Sequence, residues 1–431
     1  MIIYYRVSTL KCFEFNLKIF CIYVIRPKYE KEDKERKMKR YNMITPEGTK
    51  DVLFEECIEK RRIQSKATSI FASRGYNEVI TPGIEYYDVF DLDNAGIPQY
   101  EMYKSTDNKG RLIVFRPDLT LPIARLTATR LQNLNPPIRL YYNQNIYRNR
   151  KDLSGRSDES SQVGIELIGA KGLRADTEVI STAVSVLATC TETENFRIEI
   201  GHAAVFKLLA DKLPVSDDTK EEIRSVIESK NYARLGELLD TLEQTPYVAA
   251  VKRLPRLFGG EEVFEEAREY ILDEEVREVL DYLKNLYNAL KKLGLGDRII
   301  VDLGLVQRND YYTGVVFSAY AYGHGDAVLM GGRYDNLLSE FNAPMPACGF
   351  GVDVDALTTI AMSNIRPQLK VADVLVHGDD GFEVEAQIKI NELVSQGYMC
   401  ESSVFSTREE AKLYAEEKGI KEVIYIGKDR A

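Results

Sequence analysis

The sequence predicts an α+β fold with a helical insertion and a small α/β module at its C-terminal end. Three observations carry this reading. Short β-rich runs come first, a long helical stretch follows, and strands then return, so strands and helices are segregated rather than alternating. From about Val371 the pattern changes to regular strand–helix alternation. The chain is 431 residues long, 44% hydrophobic and 29% charged, enough for two or three domains and at least one large core.

Residues 1–42 read as an N-terminal extension. Arg6, Lys11, Glu14 and Lys18 interrupt its apolar stretch, which therefore lacks the clean core of a signal peptide. Lys28 to Arg40 then carries seven basic and four acidic residues, a mixture that describes a solvated segment rather than a nucleic-acid arm. Met43 opens the first domain, predicted to run to 365 around a helical insertion at about 203–293. Ile58, Ile63, Ala67, Ile70 and Phe71 give helical spacing over 55–74, and Gly75 supplies a stop. A strand from Glu78 to Ile84 is broken at Pro82, and further strands are predicted over Leu112–Phe115, Ile138–Tyr142 and Val163–Ile168, with a helix at Leu121–Leu131.

The last helix of the insertion places Val276, Val279, Leu280, Leu283, Leu286, Tyr287 and Leu290 on one face and ends at Gly294. Strands return at Ile299–Leu303, Tyr311–Tyr320 and near Val328. Residues 371–431 are predicted to form a βαβαβ module: Asp373–Val376, a helix over 382–396, Met399–Val404, a second helix, and Val423–Ile426. Ser406 and Glu409 have the capping-box spacing that would open the second helix.

Composition excludes several function classes. With 57 Lys+Arg against 67 Asp+Glu the net charge is −10, which argues against a chain coated with positive charge for nucleic acid. Six cysteines without a CxxC pair and three scattered histidines without HExxH predict no metal site, and unpaired thiols fit a reducing cytoplasm. No run approaches 18 apolar residues, so no membrane helix is predicted. Walker A and dinucleotide-binding glycine patterns are absent, and no cofactor is expected.

Four segments could carry chemistry. Arg116-Pro117-Asp118-Leu119-Thr120 follows a strand, and its proline fixes a turn from which polar side chains can project. Tyr141 to Arg150 and Gln162 to Glu166 read as two strands joined by a polar loop in which Arg148, Arg150, Lys151 and Arg156 could wrap a phosphate. On these residues alone a charged surface hairpin fits equally well. Gln162 and Glu166, four apart on the return strand, face one side. Tyr311 and Tyr312, read as strand residues, would point to opposite faces, one to the core and one to a pocket. Gly331-Gly332-Arg333-Tyr334-Asp335 and Cys348 to Leu357 offer close backbone approach.

In this order and spacing the segments resemble the class II aminoacyl-tRNA synthetases, specifically the histidyl-tRNA synthetase family. The resemblance begins near Ile44 with Pro46, Gly48 and Asp51. It continues through Gly75 to Pro82 (motif 1-like), the Arg116–Thr120 turn, the motif 2-like hairpin, Asp310–Gly314 and Gly331–Asp335, and ends near Leu357. It implies an antiparallel sheet flanked by helices, a homodimer built through about 55–84, and a histidine pocket. The positions matching that pocket are Asp118, Thr120, Arg148, Gln162, Glu166, Tyr311 and Tyr312. A carboxylate pair suits an α-ammonium group, while the glutamine and tyrosine suit a carboxylate and an imidazole.

Three departures separate the chain from the active synthetases. Gln307 stands where the family has an arginine that promotes adenylate formation. Ser160 replaces the phenylalanine that stacks on adenine. Ala356, beside Asp353 and Asp355, replaces the arginine on the ATP γ-phosphate. Losing such guanidinium groups removes several kcal/mol of transition-state stabilisation each. The resemblance therefore implies the non-catalytic branch of the family, with no catalytic residues. Its members assemble with the short-form ATP phosphoribosyltransferase catalytic subunit, support the first step of histidine biosynthesis, and convey feedback by histidine. A divergent active synthetase is the alternative. It would need tRNA recognition from a module, residues 371–431, that resembles a truncated anticodon-binding domain. A translational-control module is a third reading, disfavoured by the acidic balance.

Overall fold

Two ten-residue strands, Ile138–Tyr147 and Glu159–Ile168, pair antiparallel along their whole length and form the hairpin on which the site is built. The computed structural model describes residues 41–92, 97–150, 157–191, 195–306, 311–364 and 367–428. Met1–Thr45 and Pro46–Ala431 are separate units, and of the first only an exposed turn at 41–45 is described. The rest concerns the second unit.

The hairpin belongs to a nine-stranded sheet. Its order is Asn77–Glu78, Ile138–Tyr147, Glu159–Ile168, Ala347–Asp353, Leu329–Arg333, Val315–Ala321, Phe196–His202, Ile299–Asp302 and Phe258–Gly259. Neighbours are antiparallel, except that Asn77–Glu78 and Phe196–His202 run parallel to Ile138–Tyr147 and Ile299–Asp302 respectively. Alternation along Glu159–Ile168 sorts the layers. Val163, Ile165 and Leu167 enter the larger core, with helices Phe54–Ser73, Leu173–Thr191 and Val354–Asn364. Gln162, Gly164 and Glu166 turn to the opposite face, where helix Thr120–Arg130 and several tyrosines make a second cluster.

The helical insertion comprises six helices from Ala203–Asp211 to Glu274–Lys292, together with the short edge strand Phe258–Gly259. Its helices start where the sequence supplies caps: Ser216, Asn231, Thr245 and Asp273 each accept a backbone N–H from the first turn. In the C-terminal part, Val374–Gly378 lies between Cys400–Ser402 and Glu422–Ile426, all parallel. Helices Glu383–Ser395 and Arg408–Lys418 cover opposite faces of that small sheet.

Several elements differ from the sequence reading. The broken strand at Glu78–Ile84 is two strands in two sheets: Asn77–Glu78 joins the large sheet, and Ile84–Tyr86 joins Leu112–Phe115 and Lys104–Thr106. Pro82, with no N–H to donate, lies in the gap. The strand expected from Tyr311 starts at Val315, and the two tyrosines precede it in a turn. The capping box is Thr407 with Glu410, one residue beyond the expected pair. Helix Leu173–Thr191 and strands Phe196–His202 and Ala347–Asp353 were outside the expected set. In Leu173–Thr191 a run of Val, Ile and Thr masks helical propensity.

Candidate functional site

The site's floor is a row of glycines on adjacent strands. Glu166 lies opposite Gly349, which lies opposite Gly332; Gly164 lies between Tyr142 and Gly351. A Cβ on Gly349 would stand 1.9 Å from Glu166 Oε2, one on Gly351 2.5 Å from Gln162 Nε2, and one on Gly332 2.6 Å from the Tyr312 ring. Only hydrogen at these positions leaves room for the side chains to lie along the sheet.

On this floor the Thr120 hydroxyl donates to Glu166 Oε1 at 2.8 Å, and the Tyr334 hydroxyl donates to Glu166 Oε2. The Tyr142 hydroxyl bonds Gln162 Oε1 at 3.3 Å. Asp118 turns its carboxylate onto the start of helix Thr120–Arg130 and accepts the Leu121 N–H at 3.0 Å. Arg148 donates through Nε to the Pro117 carbonyl at 2.7 Å, and its charge acts on Asp118. Tyr311 is buried against Tyr334, ring centroids 5.7 Å apart, and packs on Tyr312 at 4.7 Å. Adjacent rings in a turn meet each other, so the expected division of the pair between opposite faces does not occur.

All seven sequence-predicted residues thus fall in one connected polar cluster, the candidate pocket. Tyr142 and Tyr334 complete it. Tyr334 falls inside the Gly331–Asp335 segment, where an aromatic residue just after two strand glycines was the available signal.

Burial dominates the electrostatics. It raises the Glu166 pKa to about 8, with Asp118 adding to the rise and the Tyr334 and Thr120 hydrogen bonds opposing it. Asp118 is likewise raised by burial, opposed by Arg148 and by the N–H groups of residues 119–121. Two buried carboxyl groups with one nearby guanidinium make a cluster that favours a cationic group. A cavity of about 380 Å³ is lined by Tyr311, Tyr312, Lys207, Asn336 and Glu340 among others; neither Asp118 nor Glu166 lines it.

Around Ser160 and Ala356, two of the positions that depart from the synthetase pattern, the neighbouring side chains bond one another. Lys60 Nζ meets Asp355 Oδ1 at 2.6 Å, the Ser161 N–H donates to Asp355 Oδ2 at 2.7 Å, and Gln64 donates to the Ser161 hydroxyl at 3.0 Å. Ala356 is buried, and Asp353 accepts its N–H at 2.9 Å to start the helix. Ser160, paired with Ile146, is part of the strand. Gln307 lies outside the described residues, as do Lys151 and Arg156 of the expected phosphate loop. Arg116, expected to project from a strand end, is buried. It donates to the backbone oxygens of Thr81, Pro82 and Asn145 and so holds the turn itself.

The profile of the histidyl-tRNA synthetase family matches residues 48–357. The ATP phosphoribosyltransferase regulatory subunit of Clostridium acetobutylicum is 40% identical over 383 residues, covering 88% of this chain and 94% of that protein. The chain belongs to the family of ATP phosphoribosyltransferase regulatory subunits. The regulatory subunit of Bacillus mycoides is 36% identical over 90% of this chain and 92% of its own. Among solved structures, an ATP phosphoribosyltransferase regulatory subunit/histidyl-tRNA synthetase from Bacillus halodurans superposes with TM-score 0.79 at 30% identity, over 90% of this chain and all of that one. The histidyl-tRNA synthetase of Nostoc, 18% identical with TM-score 0.70 over 88% of this chain and 90% of its own, shares the fold. The family therefore combines a class II synthetase core with the regulatory name, as the motif order and its departures predict.

Proposed function

We propose that this chain is a non-catalytic, cytoplasmic subunit that assembles with a short-form ATP phosphoribosyltransferase catalytic subunit, supports the first step of histidine biosynthesis and conveys feedback by histidine. The observation that carries the reading is the contrast between the two ends of the site. The Asp118–Glu166 cluster offers polar groups to a small cationic amino acid, while Asp355, beside Ala356, is occupied by bonds from Lys60 and Ser161. Catalysis resides in the partner.

In this reading Glu166 and Asp118 take the ligand's cationic groups, and Gln162 with the tyrosines surrounds its remaining polar atoms. The chain forms a homodimer inside the hetero-oligomer, and tRNA is not a partner.

The purified chain should co-purify with the short-form catalytic subunit, stimulate it, and make it sensitive to histidine. Glu166→Ala should weaken that sensitivity at least tenfold. Unchanged inhibition in the variant would move the effector site elsewhere. Histidine-dependent ATP–pyrophosphate exchange by the chain alone would overturn the non-catalytic reading.

A further inference from the structure

Arg333 and Tyr334 are consecutive residues at the end of strand Leu329–Arg333, so their side chains leave the sheet on opposite faces. Tyr334 goes to the ligand pocket and bonds Glu166. Arg333 goes the other way. Its Nε and Nη2 donate to Asp176 Oδ1 at 2.9 and 2.6 Å, and its Nη1 donates to Asp335 at 2.9 Å and to the Ala170 carbonyl at 3.1 Å. The second Asp176 oxygen accepts the Tyr282 hydroxyl at 2.5 Å. Tyr282 stands on Glu274–Lys292, the last helix of the insertion, whereas Asp176 stands on the core helix Leu173–Thr191.

Arg333 and Asp335 also hold the tyrosine turn. The Arg333 carbonyl accepts the Thr313 N–H at 2.8 Å, and the Asp335 N–H donates to the Thr313 hydroxyl at 2.9 Å. Gly314 lies so close that a Cβ there would stand 2.8 Å from Arg333 Cδ. His202, which starts the first helix of the insertion by accepting the Ala204 N–H at 3.2 Å, sets its ring 6.2 Å from that of Tyr282. Asp176 and Arg333 are both buried, and a buried ion pair is costly to leave half-made, so its partners shift together or not at all.

We propose that Tyr282 is a positioning residue: through Asp176 and Arg333 it holds the Tyr311–Tyr334 wall of the pocket, and the helical insertion thereby senses whether the pocket is filled. The proposal rests on the histidine pocket above and adds its route to the rest of the molecule. Coupling of this kind is reciprocal: if a ligand in the pocket stabilises the insertion, loosening the insertion at Tyr282 weakens the ligand.

Tyr282→Phe removes one oxygen and keeps the ring. Tyr247→Phe is the control, because it removes a hydroxyl bonded to Asp273 in the same insertion at 3.4 Å, away from Arg333. In the full chain, calorimetry should show histidine binding weakened about fivefold or more by Tyr282→Phe and unchanged by Tyr247→Phe. Hydrogen exchange across 274–292 should slow when histidine binds the wild-type chain. Equal weakening by both variants, or exchange indifferent to bound histidine, would overturn the proposal. A ligand-free cycle separates this from the pocket's identity. The urea-unfolding effects of Tyr282→Phe and Tyr334→Phe should be non-additive, and additivity overturns the coupling. A wild-type chain that binds no histidine overturns the ligand assignment instead, and the cycle then decides the coupling by itself.

Discussion

Burial of Glu166 sets the chemistry of the pocket at the scale of one residue. Its pKa of about 8 stands above the ordinary 4.5 because burial penalises the charged form. The native state therefore binds a proton that the unfolded chain releases. The resulting stability is complete below about pH 4.5 and is lost as pH rises towards 8. The urea midpoint should fall between pH 5 and pH 8 by the equivalent of a few kcal/mol. Glu166→Gln should remove most of that slope; a variant as pH-dependent as the parent would mean that another group carries it. That Gln162 and Glu166 share a face was legible from their spacing, because strand alternation is a local rule. The burial of Glu166 was not. It depends on Tyr334 and Tyr311, which approach from distant parts of the chain.

At the scale of elements, periodicity read Phe54–Ser73, Thr120–Arg130 and Glu383–Ser395 to within a residue or two, but it read the insertion as one helical block and missed Leu173–Thr191 and Val354–Asn364. The hairpin strands extend further than their apolar cores, to Tyr147 and back to Glu159, because the ladder continues between polar residues as long as each has a partner. The two glycines of Ala347–Asp353 that floor the pocket yield a strong expectation. Gly349→Ala would place a Cβ 2.2 Å from the Ile165 carbonyl oxygen and against Glu166, neither of which can yield without breaking the sheet. It should cost at least 1–3 kcal/mol in urea unfolding and abolish histidine binding. An alanine variant that binds as the parent does would place the ligand away from this floor. The C-terminal module offers a milder test. Thr407→Ala deletes the capping box of Arg408–Lys418 and should cost about 1 kcal/mol, read as faster hydrogen exchange in that helix. Unaltered exchange would mean that packing alone holds its first turn.

Over the whole molecule, charge is the clearest case of sequence and structure saying different things. From Arg111 to Arg156 nine basic residues stand against two acidic ones, a local net of +7 in a chain of −10. As a string this is an anion-binding island. In the fold, Arg111 pairs with Asp107, Arg125 with Glu85 and Arg139 with Glu178, while Arg116 is spent on backbone carbonyls. Most of these partners lie outside the segment, so folding dissolves much of the island. The small sheet of Ile84–Tyr86 and Leu112–Phe115 turns Ile84, Tyr86 and Phe115 outward, and Ile80 is 78% exposed. If this region is the homodimer surface, Ile80→Glu with Phe115→Glu should shift the chain to monomer in sedimentation velocity without lowering its urea midpoint. A double variant that stays dimeric would place the interface elsewhere. The sequence by itself determined the α+β order, the strand–loop–strand hairpin and the family, because periodicity, turns and motif identity are local properties. Only the tertiary structure decided that Tyr334 bonds Glu166, that Lys60 pairs with Asp355, and that Arg333 bonds the core to the insertion through Asp176 and Tyr282. Each is a contact between residues far apart in the chain, and its energy exists only once burial has removed the water that would otherwise satisfy them.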